Sequence, residues 1–242
     1  MVGRILQASR DVRLRLWALK VRLRLRRLGM RADIAVAPGV RFETLPVLEI
    51  DPYSPPEGGG SLGLLIGRGV RLGRDLTIDV RLGADSSLTV GEGTNFQSWC
   101  RLQLHGGSME IGRNCHIRDT VQIKTKSSVY LGDGTVLSRG AIVHGAAGVR
   151  IGDEVGIGER TSIIDSDHEI GGDEGFMHAP VRATPIEIAD HVVTGANCVI
   201  LRGSHLREGS ALAAGAVLNG DEVPPGHLAG GVPARVLKDL RG

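Results

Sequence analysis

His168 is the residue of this sequence best suited to acid–base chemistry. It lies in the segment SIIDSDHEIGG, residues 162–172, close to Asp165, Asp167 and Glu169. A histidine with an ordinary pKa of about 6.5 can take up and release a proton at neutral pH, so it can act as a general base. Asp167 or Glu169 could orient the imidazole through its second nitrogen, and each acid is equally consistent with a solvated loop charge.

The chain on both sides of His168 repeats with a period of six residues. Large side chains return at every sixth position in the last stretch, at Ile188, Thr194, Ile200, Leu206, Leu212 and Leu218. This period matches neither a helix, at about 3.6 residues per turn, nor a single strand, but it is typical of short strands joined by tight turns. The sequence therefore predicts an all-β solenoid, a parallel β-helix in which three units form one coil.

The composition agrees with a thin, repetitive core. The 242 residues include 36 glycines, and Phe, Trp and Tyr together supply only 3% of the chain. Cys100, Cys115 and Cys198 each fall at the fifth position of a six-residue unit, where small residues predominate. We expect them to be buried as small hydrophobic side chains, unpaired, in a reducing compartment.

The period of six is lost between Ile163 and Ile188. This interval is about three times as long as the equivalent earlier step from Val143 to Ile151, and the surplus of seventeen positions must be looped out. The insertion is polar and rich in glycine, and a long excursion from a rigid scaffold is typical of a functional loop. We therefore expect an active-site loop over residues 165–185.

The charge of the chain is concentrated at its N-terminus. Residues 1–31 hold ten of the 29 basic residues and one of the 27 acidic residues, so the remainder has a net charge of −7. On a helical projection this segment has two apolar stripes separated by basic residues: Val12, Leu16, Leu19 and Leu23, and Leu14, Trp17, Val21, Leu25 and Leu28. We predict a basic amphipathic helix over residues 1–30.

The two stripes suggest two contacts for this helix. One stripe would pack on the assembled protein and the other would touch an anionic membrane surface, for which Lys, Arg and Trp are suited. A helix that only packs against neighbouring subunits is the alternative. Nucleic acid is not expected as a partner, because no aromatic stacking platform accompanies the charge. No apolar run reaches the roughly 20 residues that cross a bilayer, and no signal peptide is evident, so we expect a cytoplasmic protein, peripheral on the inner face of the membrane.

The six-residue pattern resembles that of the hexapeptide-repeat acyltransferases over about residues 34–238. The resemblance implies a left-handed parallel β-helix over residues 31–232, a short C-terminal extension over residues 233–242, and a homotrimer. The handedness is implied by the resemblance alone, because parallel crossovers are right-handed as a general rule.

Around His168 the sequence is similar to the sugar and xenobiotic O-acetyltransferases of this class. An I-G-D unit begins at Ile151, His168 follows at the seventeenth position after it, Pro185 follows the loop, and Ile188 begins the next unit. The resemblance implies that His168 is the catalytic general base for direct transfer of an acetyl group from acetyl-CoA, without a metal. The acceptor would be a hydroxyl of a glycan, a glycolipid or another small molecule.

Other functions remain open from the sequence. An N-acetyltransferase acting on an amino sugar and a non-enzymatic β-helix scaffold are both consistent with the repeats. A β-helix carbonic anhydrase would need three zinc histidines that include a close pair, and His105, His116 and His144 contain no such pair.

The run LAAGAVLNGDEVPPGHLAGGVPARVLK, residues 212–238, resembles the closing signature of this class. The resemblance implies contacts with the acyl donor at Ala196, Ala214, Asn219, Gly220, Arg235 and Lys238. Guanidinium and ammonium groups suit the phosphates of coenzyme A. The two positions that hold the sugar in galactoside and maltose acetyltransferases are Ser138 and Ala146 here, so we expect a different acceptor. Its predicted contacts are Asp165, Ser138, Arg139 and His144.

Overall fold

Three parallel sheets form the sides of a β-solenoid, because successive six-residue units place their short strands on successive sides. The computed structural model describes residues 2–169, 175 and 179–242, and residues 2–8 by their backbone alone. The first face contains nine strands: Arg31–Val36, Ser61–Ile66, Asp85–Val90, Gly107–Ile111, Ser128–Leu131, Val149–Ile151, Ile186–Ile188, His205–Leu206 and Glu222–Val223.

The second face contains ten strands, of which the last is antiparallel to its neighbour: Arg41–Phe42, Arg71–Leu72, Asn95–Phe96, His116–Ile117, Val136–Leu137, Gly156–Ile157, Val193–Thr194, Ala211–Leu212, His227–Gly230 and Arg235–Asp239. The third face contains eight: Val47–Ile50, Thr77–Val80, Arg101–Leu104, Gln122–Thr125, Ile142–Gly145, Ser162–Ile164, Val199–Leu201 and Val217–Asn219.

The register between coils follows the repeat seen in the sequence. Ile111 pairs with Leu131, and Leu131 pairs with Ile151, so two successive coils have the same length. Ile151 then pairs with Ile188, which lies much further along the chain, because this coil carries the insertion. The insertion therefore leaves the stacking of the aliphatic rows unbroken.

Aliphatic side chains fill the interior of the prism, and the cysteines lie among them. Cys100, Cys115 and Cys198 are buried and unpaired, as the repeat predicts. Burial raises the pKa of the Cys100 thiol to about 12, and it also raises the pKa of the other two thiols. These thiols therefore stay protonated and inert at neutral pH.

The I-G-D units have a physical explanation at one corner of the solenoid. The carboxylate of Asp153 accepts the backbone N–H of Asp133 in the preceding coil at 2.8 Å, and Asp190 accepts that of Asp153 at the same distance. A Cβ atom on Gly132 or Gly152 would lie 2.3 or 2.1 Å from these carboxylate oxygens. Glycine is needed before the aspartate because only a residue without a side chain leaves room for the acid of the next coil.

Helix α1, Val2–Arg27, packs against the first coil and buries one of its two apolar stripes. Leu14, Trp17, Val21 and Leu25 are buried, and the Trp17 indole N–H donates to the carbonyl oxygen of Pro46 at 2.7 Å. The stripe of Val12, Leu16, Leu19 and Leu23 is exposed, each side chain by about half. The predicted helix is confirmed and its buried stripe covers the end of the aliphatic core. It ends at Arg27, before the predicted residue 30, so Leu28 of the predicted stripe lies beyond the helix and is exposed.

The packing of α1 predicts unequal effects for two leucines on opposite sides of the helix. Leu25→Ala should lower the free energy of unfolding by about 2–5 kcal/mol, because Leu25 is fully buried and a cavity would remain. Leu23→Ala is the matched control and should change it by about 0.5 kcal/mol or less, because Leu23 is exposed. Urea unfolding followed by circular dichroism measures both variants, and equal losses would contradict this packing.

Candidate functional site

The inserted segment leaves the third face as an antiparallel hairpin. Ser166–His168 pairs with Val181–Ala183, and His168 lies opposite Val181 at the outer end of the pairing. Residues 170–174 and 176–178 of the predicted 165–185 loop lie outside the described part of the chain. The hairpin fixes His168 at the base of this loop, next to the outer surface of the third face.

A cavity of about 240 Å³ separates the hairpin from the third face. Its walls combine cationic, imidazole and small side chains: Lys124, Lys126, His144, Gly145, Ala146, Ile164, Ser166, Asp167, His168 and Val181. The cavity therefore brings together three of the predicted site residues, Asp167 and His168 from the hairpin and His144 from the third face.

The His168 ring is oriented by a backbone carbonyl across the hairpin. Its Nδ1 lies 3.3 Å from the carbonyl oxygen of Ala179. With the proton on Nδ1, the ring donates to this oxygen and carries its lone pair on Nε2, the arrangement that a general base requires. This partner could not be identified from the sequence, because the loop residues between the two strands do not determine which backbone oxygen faces the ring.

The two acids beside His168 form ion pairs with arginines. Asp167 accepts a hydrogen bond from Arg202 at 2.9 Å, and Glu169 accepts one from Arg182 within the hairpin. These pairs hold the hairpin against the next coil and to itself. The orienting role predicted for Asp167 or Glu169 stays a prediction.

Asp165 is buried and bound to the backbone of the preceding coil. Its two carboxylate oxygens accept the N–H groups of Ala146, Ala147 and Gly148, each at 2.7 Å. A buried carboxylate with three such bonds has little remaining capacity for a ligand, so these contacts give Asp165 a structural role, and its direct contact with the acceptor stays a prediction. Asp165 anchors the start of the hairpin beside the cavity.

His144 and Lys124 project into the cavity from neighbouring strands of the third face, where they pair in register. Burial, together with the charge of Lys124, lowers the pKa of His144 below its ordinary value, so His144 is neutral at pH 7. Burial and the adjacent Lys126 also lower the pKa of Lys124. The cavity thus combines the His168 imidazole with the neutral imidazole of His144 and the ammonium groups of two lysines, Lys124 and Lys126.

The sequence did not single out Lys124, Lys126, Arg182 or Arg202. The two lysines alternate with the buried residues of the strand Gln122–Thr125, so their outward direction could have been inferred from the period of two. The partners of the two arginines depend on how the hairpin folds back, which no repeat in the sequence specifies.

Ser138 and Arg139 lie near the corner that follows the second face, away from the His168 cavity. Arg139 pairs with Asp119 at 3.3 Å and lines a different depression. The structure therefore separates the predicted acceptor residues: His144 lies with His168, and Ser138 and Arg139 do not.

The predicted donor residues lie along the C-terminal coils. Asn219 pairs with Leu201, and Leu201 with Ile164 of the cavity wall, so Asn219 lies two strands from the cavity, about 10 Å. Gly220 lies beside the backbone of Arg202.

Ala196 and Ala214 lie at the opposite end of the third-face strands, where the chain leaves the second face. Arg235 pairs with Asp221 at 3.1 Å, and Lys238 is exposed on the last strand.

A buried polar cluster lies elsewhere, at the corner that follows the third face. His105 lies 3.8 Å from an oxygen of Asp51 and 3.7 Å from one of Asp79, and all three are buried. Burial opposes ionisation of Asp79, but the nearby His105 ring and a hydrogen bond from Arg101 at 2.8 Å outweigh it and lower its pKa to about 2. Among residues 2–169, 175 and 179–242, no group of three or more His, Cys, Asp or Glu side chains could hold a metal ion.

Comparison with known proteins finds similarity to parts of named acetyltransferases. No protein-family model matches the chain. A probable acetyltransferase of Mycobacterium tuberculosis, Rv3034c, is 32% identical over 138 residues, which are 54% of this chain and 44% of that protein. A 2,3,4,5-tetrahydropyridine-2,6-dicarboxylate N-acetyltransferase of Alkaliphilus metalliredigens is 48% identical over 61 residues, 25% of each chain. The chain therefore spans less than half the length of these curated relatives.

Among solved structures, the polySia-specific acetyltransferase NeuO superposes with a TM-score of 0.57 at 19% identity, covering 88% of this chain and 81% of NeuO. At this identity the likeness shows a shared fold. The left-handed β-helix fold is confirmed, and the sequence relatives together with this shared fold confirm the resemblance to hexapeptide-repeat acyltransferases.

The anchoring role of Asp165 can be tested by stability. Asp165→Ala should lower the free energy of unfolding by about 3 kcal/mol or more, because it leaves N–H groups at the cavity wall without their acceptor. Asp167→Ala is the control, since it removes an exposed carboxylate and should change stability by about 1 kcal/mol or less. Thermal unfolding of both variants measures the difference, and similar melting temperatures would refute the anchoring role.

Proposed function

We propose that the chain is an acyl-CoA-dependent O-acyltransferase that moves an acetyl group from acetyl-CoA to a hydroxyl group. The acceptor would be a glycan, a glycolipid or another hydroxylated small molecule. The observation that carries the proposal is the cavity beside His168, whose Nδ1 faces a backbone carbonyl so that Nε2 can accept a proton. Its relatives, which include probable and named acetyltransferases, support an enzyme of this kind.

In the proposed reaction, His168 Nε2 removes the proton of the acceptor hydroxyl as its oxygen attacks the thioester carbon of acetyl-CoA. The new C–O bond forms, the C–S bond breaks, and the protonated imidazole returns the proton to the departing thiolate of coenzyme A. The buried cysteines support direct transfer without a thiol acyl-enzyme, because their pKa values are raised and their sulfurs lie inside the prism. The mechanism uses acetyl-CoA as co-substrate and no step through a metal.

The donor would lie along the C-terminal coils, with its thioester at the cavity. Asn219 and Gly220 lie on the side of the solenoid that carries Ile164 and Arg202, which supports this direction of approach. Ala196, Ala214, Arg235 and Lys238 complete the proposed donor contacts. Arg235 and the exposed Lys238 offer charge to the phosphates of coenzyme A.

N-acetylation of an amino sugar is the second candidate, and the named N-acetyltransferase among the relatives favours it. An amine acceptor, however, arrives at neutral pH mainly as an ammonium ion. Lys124 and Lys126 line the cavity and would repel it. The same side chains favour a neutral or negatively charged acceptor, so a hydroxyl fits the cavity better. A non-enzymatic scaffold would have no need for the His168 imidazole to be held in one orientation at a cavity.

The outer side of α1 supports a peripheral contact with a membrane. Val12, Leu16, Leu19 and Leu23 are exposed. At 100° per residue, Arg15 and Arg26 flank this stripe on one side and Lys20 and Arg27 on the other. Apolar side chains bordered by cations match the surface of an anionic bilayer, and no described helix is long and apolar enough to cross one. We propose a cytoplasmic homotrimer that is peripheral on the inner face of the membrane.

Replacement of His168 tests the proposed chemistry. His168→Ala should lower acetyl transfer by about 10²–10⁴-fold, because the hydroxyl would lose its base. The measurement is coenzyme A release from acetyl-CoA with a panel of glycan acceptors. His116→Ala, at an exposed histidine of the second face, is the control and should retain full activity. Unchanged transfer by a folded His168→Ala protein would rule out the mechanism.

Replacement of the exposed stripe tests the membrane contact. Leu16→Gln combined with Leu19→Gln should weaken binding to phosphatidylglycerol vesicles by about tenfold or more, because two apolar side chains no longer enter the bilayer. Val47→Gln combined with Leu65→Gln removes apolar groups of similar exposure elsewhere and should have little effect. Vesicle co-sedimentation measures both. The membrane contact would be contradicted if wild type bound neutral phosphatidylcholine vesicles as well as phosphatidylglycerol vesicles. It would also be contradicted if the Leu16→Gln and Leu19→Gln variant bound phosphatidylglycerol vesicles as well as wild type.

A further inference from the structure

A second concavity, here named the arginine groove, lies along the second face near α1. It encloses about 700 Å³ and shares no lining residue with the His168 cavity. Five arginines line it: Arg10 from α1, Arg41 and Arg71 from the first two strands of the face, and Arg118 and Arg139 from later coils. The groove is therefore a separate surface built from distant parts of the chain.

The arginine groove has an excess of positive charge that the described residues do not neutralise. Arg139 pairs with Asp119. Among the described residues, no carboxylate lies within ion-pair distance of Arg10, Arg41, Arg71 or Arg118. Arg41 and Arg71 also occupy opposed positions on paired strands, an arrangement of like charges that disfavours folding. A negatively charged ligand would relieve this repulsion.

The rest of the groove is suited to hydroxyl groups as well as anions. Asn95, Gln97 and Ser98 supply neutral donors and acceptors, and the two acids Glu43 and Asp119 can accept hydrogen bonds from hydroxyls. The same two acids would repel a closely spaced row of phosphates, which disfavours nucleic acid. The lining therefore matches a sugar chain with separated negative charges.

Trp99, the residue after Ser98, adds an exposed aromatic ring at the corner beside the groove. Its φ is +60° and its side chain is 55% exposed. None of the equivalent corner positions holds an aromatic residue: they are Asp75, Thr120, Gly140, Arg160 and Asn197. A bulky residue in the left-handed region is unfavourable, and Trp99 places an exposed indole there beside the groove, which supports a binding role. Indole rings have an apolar face that can cover the C–H face of a sugar.

We propose that the arginine groove binds a negatively charged glycan chain, whose carboxylates or phosphates pair with Arg41 and Arg71 and whose sugar ring packs on Trp99. This inference rests on the proposed function, because the bound chain would be an acceptor held away from the reacting hydroxyl. The cationic side chains Lys124 and Lys126 in the His168 cavity agree with an anionic acceptor. The predicted acceptor residue Arg139 also lines this groove.

Calorimetry with polysialic acid, in the absence of acetyl-CoA, tests the groove independently of catalysis. Arg41→Gln combined with Arg71→Gln should raise the Kd by about tenfold or more, through loss of two charge-assisted contacts. Arg31→Gln combined with Arg68→Gln is the matched control, because both arginines are exposed and lie outside the groove. The control should change the Kd by about twofold or less. Equal weakening in the two double variants would mean diffuse electrostatic attraction and would overturn the proposal.

Trp99→Asn separates a binding role from a structural one. Asparagine tolerates the left-handed conformation, so the melting temperature should stay the same or rise while the affinity for polysialic acid falls. If the Trp99→Asn variant bound polysialic acid with unchanged affinity, Trp99 would not be part of the binding site.

Competition identifies the class of ligand. Neutral dextran should not displace polysialic acid. Displacement by single-stranded DNA or phosphatidylglycerol vesicles at equal charge concentration, through the same two arginines, would assign the groove to those ligands instead.

If wild type binds polysialic acid but transfers no acetyl group to any acceptor, the proposed function fails and the groove stands. If it acetylates neutral glycans and does not bind polysialic acid, the groove proposal fails alone.

Discussion

The backbone hydrogen bonds between successive coils are the constraint on which the rest of the structure depends. Gly112 donates to the carbonyl of Leu131, Gly132 to that of Ile151, and Gly152 to that of Ile188, each at 2.8 Å. The third bond is identical to the first two, although the whole insertion separates its partners along the chain. Because each coil presents the same pattern of donors and acceptors, the register is recovered after the insertion, and the insertion can vary without disturbing the core.

The site is formed where this regular scaffold meets the one long insertion. The scaffold supplies rigid walls, since Lys124, His144 and Ile164 lie on adjacent strands of one face. The hairpin supplies His168 and is tied down by Asp165 at its start and by the Asp167–Arg202 pair at its side. A side chain carried on a loop gains a defined position only through such anchors, because a free loop would spread the imidazole over many orientations, and the proposed role of His168 requires one orientation.

Charge is distributed along the solenoid as unevenly as along the sequence. The basic residues of α1 lie at one end, the arginine groove lies on the second face beside it, and two lysines enter the His168 cavity on the third face. Three surfaces of one small protein are therefore positive, although the chain outside residues 1–31 has a net charge of −7. Under the proposed function, this separation of charge would serve an anionic membrane at α1 and an anionic acceptor at the other two surfaces.

The sequence by itself determined the solenoid, the aliphatic positions that face its core, the length of the insertion, the helix with two apolar stripes and the position of His168 at the loop. These features are periodic or local, so side-chain spacing is enough to predict them. Only the tertiary structure decided that Ala179 orients His168, that Asp165 is an anchor, and that Arg139 lies in a groove with Arg10 and Arg41. Each of these contacts joins segments at unrelated sequence separations, and no period in the sequence encodes which atoms meet when a loop folds back or a helix packs across a coil.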